Sequence, residues 1–230
     1  MRGRAARNAA DRERILRAAA DSGLIPKKST LEISDGSWEA MLWDVAIDIL
    51  EDRTFPLPVR IALRRQLRQL RSDRALAWAR SNADLDGNLG GTALALLTEL
   101  AERSDAPRLF SLLMAGASGG NGYIYDQCSL IDTLTRLGHR AAVPTIEAIF
   151  DTTVYSYLRT RCAVSLSRLS PKFASGRAVE CLTDCEAETR GVGIAHVDVS
   201  VSGAREALIR VAGDAMEEDK NRRAAAVRVL

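Results

Sequence analysis

Cys181 and Cys185 lie four residues apart, with His196 downstream, and are the residues whose type and spacing come nearest to a metal site. Zinc centres place a C-x2-4-C knuckle on a turn and complete it with a second ligand pair. No second pair exists here, and the spacing suits one helix face. The two are therefore read with Cys128 and Cys162 as reduced, buried thiols, and no metal is expected. Nucleophilic catalysis would need a histidine beside a cysteine or serine, and the chain has only His139 and His196. His139 falls in the turn-like segment TRLGHRAAVP. There is no G-x-S-x-G, no phosphate loop and no dinucleotide fingerprint, and the run SGGNG (118–122) lacks the Lys-Ser/Thr that a phosphate cradle requires. No cofactor and no catalytic residue are expected, which favours a non-enzymatic chain.

Aromatic residues offer contact chemistry instead. Trp38, Trp43 and Trp78 occupy apolar helical positions and read as core. Tyr123, Tyr125, Tyr155 and Tyr157 precede helices in pairs. They could share one rim, where tyrosine combines area with a polar tip, or staple the helix starts.

Composition limits the alternatives. Apolar residues make up 47% and aromatics 5%, and alanine, leucine and arginine dominate, all good helix formers. Residues 1–30 carry a local charge of +5 within a total of +2, so the remainder is −3; that disfavours a duplex-binding surface. Charges interrupt the N-terminal stretch, so no secretory segment is expected. No run approaches the ~18 apolar residues a membrane span needs. The cytoplasm is the expected location.

The elements that must position these residues recur. Asp52-RTFPLPV-Arg60, Asp151-TTVYSYL-Arg159 and Asp214-AMEEDKN-Arg222 share an acid, seven residues and an arginine. Counting from the arginine, small or apolar residues return at +3, +7 and +10: Leu63, Leu67 and Leu70; Cys162, Leu166 and Leu169; then Ala225 and Val229. The register also fits from Gly90 (Ala93, Leu97, Leu100) and Gln127 (Leu130, Leu134, Leu137), and less well from Arg190 (Gly193, Val197). Anchors at 60, 90, 127, 159, 190 and 222 are 30 to 37 residues apart, the long step absorbing the glycine-rich 115–122. Spacings of three and four form one helical stripe. A preceding helix is expected at 37–50, 107–116, 143–151 and 177–184, with Pro107 and Pro144 in first turns. A lone pair cannot bury its stripe, so neighbours must stack. Residues 196–202 alternate like a strand, but with nothing to pair against they are expected to form a frayed helix and loop.

The segments Thr133-LTRLG-His139, Ala141-AVPTIEAIFD and Leu158-RTRCAVSLSRL-Ser170 resemble the HEAT family, in particular its short bacterial lyase-type repeats. That resemblance implies an all-α, armadillo-like α solenoid: a right-handed α-α superhelix of about six helix pairs over 35–230, preceded by a basic helix or arm at 1–34. It also implies an inter-repeat ladder of turn aspartates and second-helix arginines, here Asp52, Arg60, Asp151, Arg159, Asp214 and Arg222. Second helices line the concave face in such solenoids. Subtracting the buried stripe leaves Arg65, Arg68, Glu99, Asp132, Arg136, Arg161, Arg168 and His196 on it. The five arginines suit acidic peptides or phosphates through bidentate contacts. The expected function is a scaffold binding a partner protein or acidic peptide. The alternatives are a nucleic-acid binder like the HEAT-like DNA glycosylases, which needs a positive concavity and a carboxylate near exposed aromatics, and a chromophore lyase, which only the resemblance suggests.

Overall fold

The computed structural model describes residues 2–25, 35–84, 87–117 and 124–230. Among them every regular element is helical, with no strand. The helices are α1 (Arg2–Asp21), α2 (Asp35–Glu51), α3 (Leu57–Leu67), α4 (Asp73–Asn82), α5 (Gly87–Leu100), α6 (Ala106–Ala117), α7 (Ile124–Arg136), α8 (Val143–Thr152), α9 (Ser156–Leu169), α10 (Arg177–Cys181), α11 (Ala187–His196), α12 (Ala204–Gly213) and α13 (Asp219–Val229). Single 3-10 turns, Arg103–Asp105 and Arg140–Ala142, lead into α6 and α8. None of the described helices is long and apolar enough to cross a membrane. The run 118–122 and Tyr123 lie outside the described residues, as does most of the loop expected after α1. Two compact units divide the chain, Met1–Ala101 and Glu102–Leu230.

In the first unit α2 packs on α3 and α4 on α5, while α3 touches α5. The basic α1 does not stand free: it lies along α3, with Ile15 and Ala19 fully buried. Asn8 and Gln69 exchange amide hydrogen bonds of 3.0 and 3.2 Å, and Arg12 stacks over Trp38 at 4.9 Å. Gly23, at φ +78°, ends α1 in a Schellman turn closed by Leu24 N–H on Ala19 C=O and Gly23 N–H on Ala20 C=O. Ser72 caps α4, accepting from Ala75 N–H and donating to Glu39 on α2. Trp38 and Trp43 are buried as expected, and Trp43 meets the half-buried Trp78 with ring centroids 5.0 Å apart.

In the second unit the pairs are α6 with α7, α8 with α9, α10 with α11 and α12 with α13; α9 also touches α7 and α11, and α11 touches α13. The stripe seen in the sequence is the buried one. Leu63, Leu67, Ala93 and Leu97 in the first unit, and Leu134, Cys162, Leu166 and Ala225 in the second, are fully buried. Burying each leucine is worth about 2 kcal/mol. The stripe frays at +10, where Leu70, Leu100 and Leu137 are partly exposed and only Leu169 is buried, and at Val229, the +7 position of the last repeat, which is partly exposed.

The poor match at Arg190 has a packing cause. A Cβ on Gly193 would stand 2.8 Å from the Ala178 carbonyl oxygen and 2.9 Å from the Cys181 Cβ, so α10 and α11 approach too closely for any side chain. Glycine is there for contact, and α11 stays helical to His196 before turning at Val197–Gly203.

Candidate interaction surface

Three of the repeat's anchor residues, Gln127, Arg159 and Arg190, act as ties between elements. Gln127 at the start of α7 donates through Nε2 to the Gly116 carbonyl at the end of α6, at 3.0 Å. Arg159, one repeat on, donates through Nη1 to the Phe150 carbonyl near the end of α8, at 2.6 Å, with its guanidinium 4.0 Å over the Phe150 ring. Arg190 donates through Nη1 to the carbonyls of Asp184 (2.7 Å) and Cys185 (2.9 Å), just past α10. A glutamine therefore does the arginine's work at Gln127: both satisfy carbonyls that a helix end leaves open.

The ladder partners differ from those the resemblance implied. Arg159 bonds Asp184, and Arg190 bonds Glu217 through Nε and Nη2; both acids are buried. Asp151 instead makes an exposed two-pronged pair with Arg177, at 2.6 and 2.7 Å. Asp214 and Asp52 close their own turns on Met216 N–H and Thr54. Arg222 pairs with Asp219 one turn earlier, and neither Asp52 nor Asp214 meets an arginine among the described contacts. Thus Arg159 is a rung and Arg190, the weak match, is the next. Asp184 and Glu217 were missed because each sits at the end of its turn, six and five residues before the following anchor.

The five expected arginines are divided between the two units, and acids of neighbouring helices offset several of them. In the first unit Arg65 is committed to the buried Asp11 on α1, at 2.8 Å. Arg68 and Arg71 both face Glu99 of α5, at 3.6 and 3.8 Å. With Arg7 and Arg64 these residues line a recess of about 730 Å³. In the second unit Arg161 pairs with Asp132 at 3.2 Å, while Arg168, with Glu188, His196 and Lys220, lines a smaller hollow of about 280 Å³ on α9, α11 and α13. Arg136 is exposed on α7. The acids that offset the arginines come from neighbouring helices, a pairing the linear pattern does not reveal.

The rim expected for the tyrosines exists in part. Tyr125 at the start of α7 and Tyr155 and Tyr157 at the start of α9 meet edge to face, with centroids 6.1 and 6.3 Å apart. Tyr155 O–H donates to the Tyr125 hydroxyl at 3.3 Å, and Arg161 lies 4.6 Å over the Tyr157 ring while donating to its hydroxyl. Tyr125 is 69% exposed, and Val154, next to Tyr155 in the chain, is wholly so. Tyr157, Arg161, Val164 and Arg168 follow one outward face of α9, and Tyr125, Asp132 and Arg136 follow that of α7. Partial burial raises the Asp126 and Asp132 carboxyls, with Arg161 opposing the shift at Asp132.

Three of the four thiols lie in the core. Cys128, Cys162 and Cys181 are buried, which raises all three thiols, Cys128 to about 11 and Cys181 to about 12. Cys185 departs from expectation: it is exposed in the turn after α10, so it shares no helix face with Cys181. His139 is half-buried with its ring 5.5 Å from Phe110, whereas His196 is exposed. No cluster of metal-ligating side chains occurs among the described residues.

No protein-family model matches this chain, and no curated protein or solved structure is significantly similar to it.

Proposed function

We propose that the chain is a non-enzymatic scaffold of the HEAT type, a right-handed superhelix of about six helix pairs whose second helices take a partner protein. The buried three-four stripe, the contact of successive second helices within each unit and the Arg159 and Arg190 rungs support this architecture. The partner reading is carried by one observation: the exposed Tyr125–Tyr155–Tyr157 strip, with Arg161 laid over its end. Tyrosine and arginine are the side chains that interface centres favour, because each joins a large contact area to a polar tip. The buried free thiols suit the reducing interior of a cell.

The test is site-specific photo-cross-linking in lysate of the source cells. A cross-linker at Val164, on the outward face of α9, is expected to capture the same polypeptide repeatedly, and Tyr125→Ser/Tyr157→Ser to abolish the capture. A cross-linker at Glu147, on first helix α8, is the control. Equal capture at both positions, or none at Val164, would overturn the reading.

A second reading has one observation in its favour. Asp132 stands beside Arg161 and the exposed tyrosines, and a carboxylate near aromatics is what a DNA-glycosylase-like protein requires. Residues 102–230 carry sixteen basic and sixteen acidic side chains, however, and that balance weighs against a duplex-binding unit. Salt-sensitive binding of random duplex DNA, lost in Asp132→Asn/Arg161→Glu, would favour this reading.

A further inference from the structure

We propose that the arginine recess of the first unit seats a carboxylate- or phosphate-bearing segment of a polypeptide, and that Glu99 occupies this seat while the segment is absent. The inference rests on the scaffold reading and names the chemistry of the partner.

The recess holds more positive charge than its one lining acid offsets, although Arg71 also donates through Nη1 to the Arg68 and Leu70 carbonyls at 2.8 and 2.7 Å. Arg7, Arg64, Arg65, Arg68 and Arg71 line it, with Glu99 as the one acid among its lining residues. Arg65 is spent on Asp11, whose side chain is 3% exposed, so that pair holds α1 on α3. The buried Nε of Arg64 has no hydrogen-bond partner, although its Nη2 reaches Asn88. Arg68 and Arg71 share the single Glu99 carboxylate at 3.6 and 3.8 Å, one oxygen each. Charge-assisted bonds between guanidinium and carboxylate close to about 2.7–2.9 Å when geometry allows. Glu99 sits at the edge of ion-pairing range because its backbone is fixed on α5 while the arginines rise from α3 and the turn after it. A carboxylate arriving from outside has no such tether. It can meet the Arg68 guanidinium two-pronged and release Glu99 to solvent, where 45% of its side chain already lies.

The recess favours polypeptide over nucleic acid. The unit's tryptophans are occupied elsewhere, two buried and the third against Trp43, so no ring is offered to a base. Ile61, 41% exposed on the recess wall, supplies apolar contact for the aliphatic part of a peptide side chain.

The experiment is fluorescence anisotropy on the full chain with labelled hexaglutamate, a phosphoserine peptide, hexaglutamine and a single-stranded oligonucleotide. Hexaglutamate or the phosphoserine peptide is expected to bind in a salt-sensitive way, and the stronger of the two identifies the source of the oxyanion; hexaglutamine should stay free. Glu99→Gln removes the resident competitor and should tighten binding by up to about tenfold, what one charge-assisted bond carries. Arg68→Gln/Arg71→Gln should weaken it at least about tenfold, with an unchanged melting temperature showing that the fold is kept. No binding by either the natural chain or Glu99→Gln, weaker or equal binding by Glu99→Gln, or preference for the oligonucleotide would each overturn the proposal. Because the cross-linker at Val164 lies in the other unit, failure here with capture there removes the recess alone; the reverse result removes the scaffold reading.

Discussion

Arg190 holds Glu217 through two nitrogens on two carboxylate oxygens, twenty-seven residues apart in the chain, and the acid is 2% exposed at its side chain. Removing one partner of a buried pair leaves the other charge stranded, which costs far more than loss of a surface pair. Arg190→Ala is expected to destabilise the second unit by about 3 kcal/mol. Arg177→Ala, which breaks the more open pair with Asp151, should cost about 1 kcal/mol or less. Urea denaturation of both variants decides, and the reverse ranking would remove the ladder from the account.

Acid should act through the same rung. The hydrogen bond from Arg190 holds the Glu217 carboxyl below its ordinary value of 4.5. A carboxyl depressed in the folded state contributes stability fully above its unfolded pKa and loses it as pH falls through the folded one. The stability gap between the natural chain and Glu217→Gln should therefore be flat from about pH 7 to 5.5 and close below about pH 4. Paired denaturation curves across that range measure it; a gap that widens on acidification would contradict the sign.

Gly193→Ala should destabilise by about 1–3 kcal/mol, because α10 backbone stands where the methyl must go. Gly213→Ala, with nothing within 4 Å of the added carbon and ordinary backbone angles, should be neutral or slightly stabilising. Thermal melts of the two variants suffice. Equal losses would mean that helix propensity, and not close approach, explains Gly193.

The four cysteines should divide sharply toward a thiol reagent. Cys185 is exposed, whereas burial both shields Cys128, Cys162 and Cys181 and raises their thiols, leaving little thiolate at neutral pH. Iodoacetamide at pH 7.5 followed by peptide mass mapping should modify Cys185 alone in the folded chain, and all four in denaturant. Fast labelling of Cys162 in native buffer would contradict the packing of α9.

The stripe was legible because burial on one helix face writes a period that no other force writes: Leu67, Leu134 and Leu166 are at zero exposure. The anchor position was legible as well, even where a glutamine fills it at Gln127. The rung acids were not. Asp151 lies in the last turn of α8 and Asp184 three residues past α10, and only the path of the turn decides which faces the arginine. Gly193 read as a defect in the repeat because one chain cannot report how near another helix passes. The partners of the arginines were hidden for a related reason: Asp11, Glu99 and Asp132 reach Arg65, Arg68 and Arg161 from adjacent helices.

Asp184 answers to two arginines at once, its carboxylate to Arg159 and its main-chain oxygen to Arg190. The links Arg159–Asp184–Arg190–Glu217 form an unbroken polar thread from the end of α8 to the turn before α13. A tug on either end is thus delivered to one short turn, and that turn is the place where the second unit can transmit a bend or absorb it.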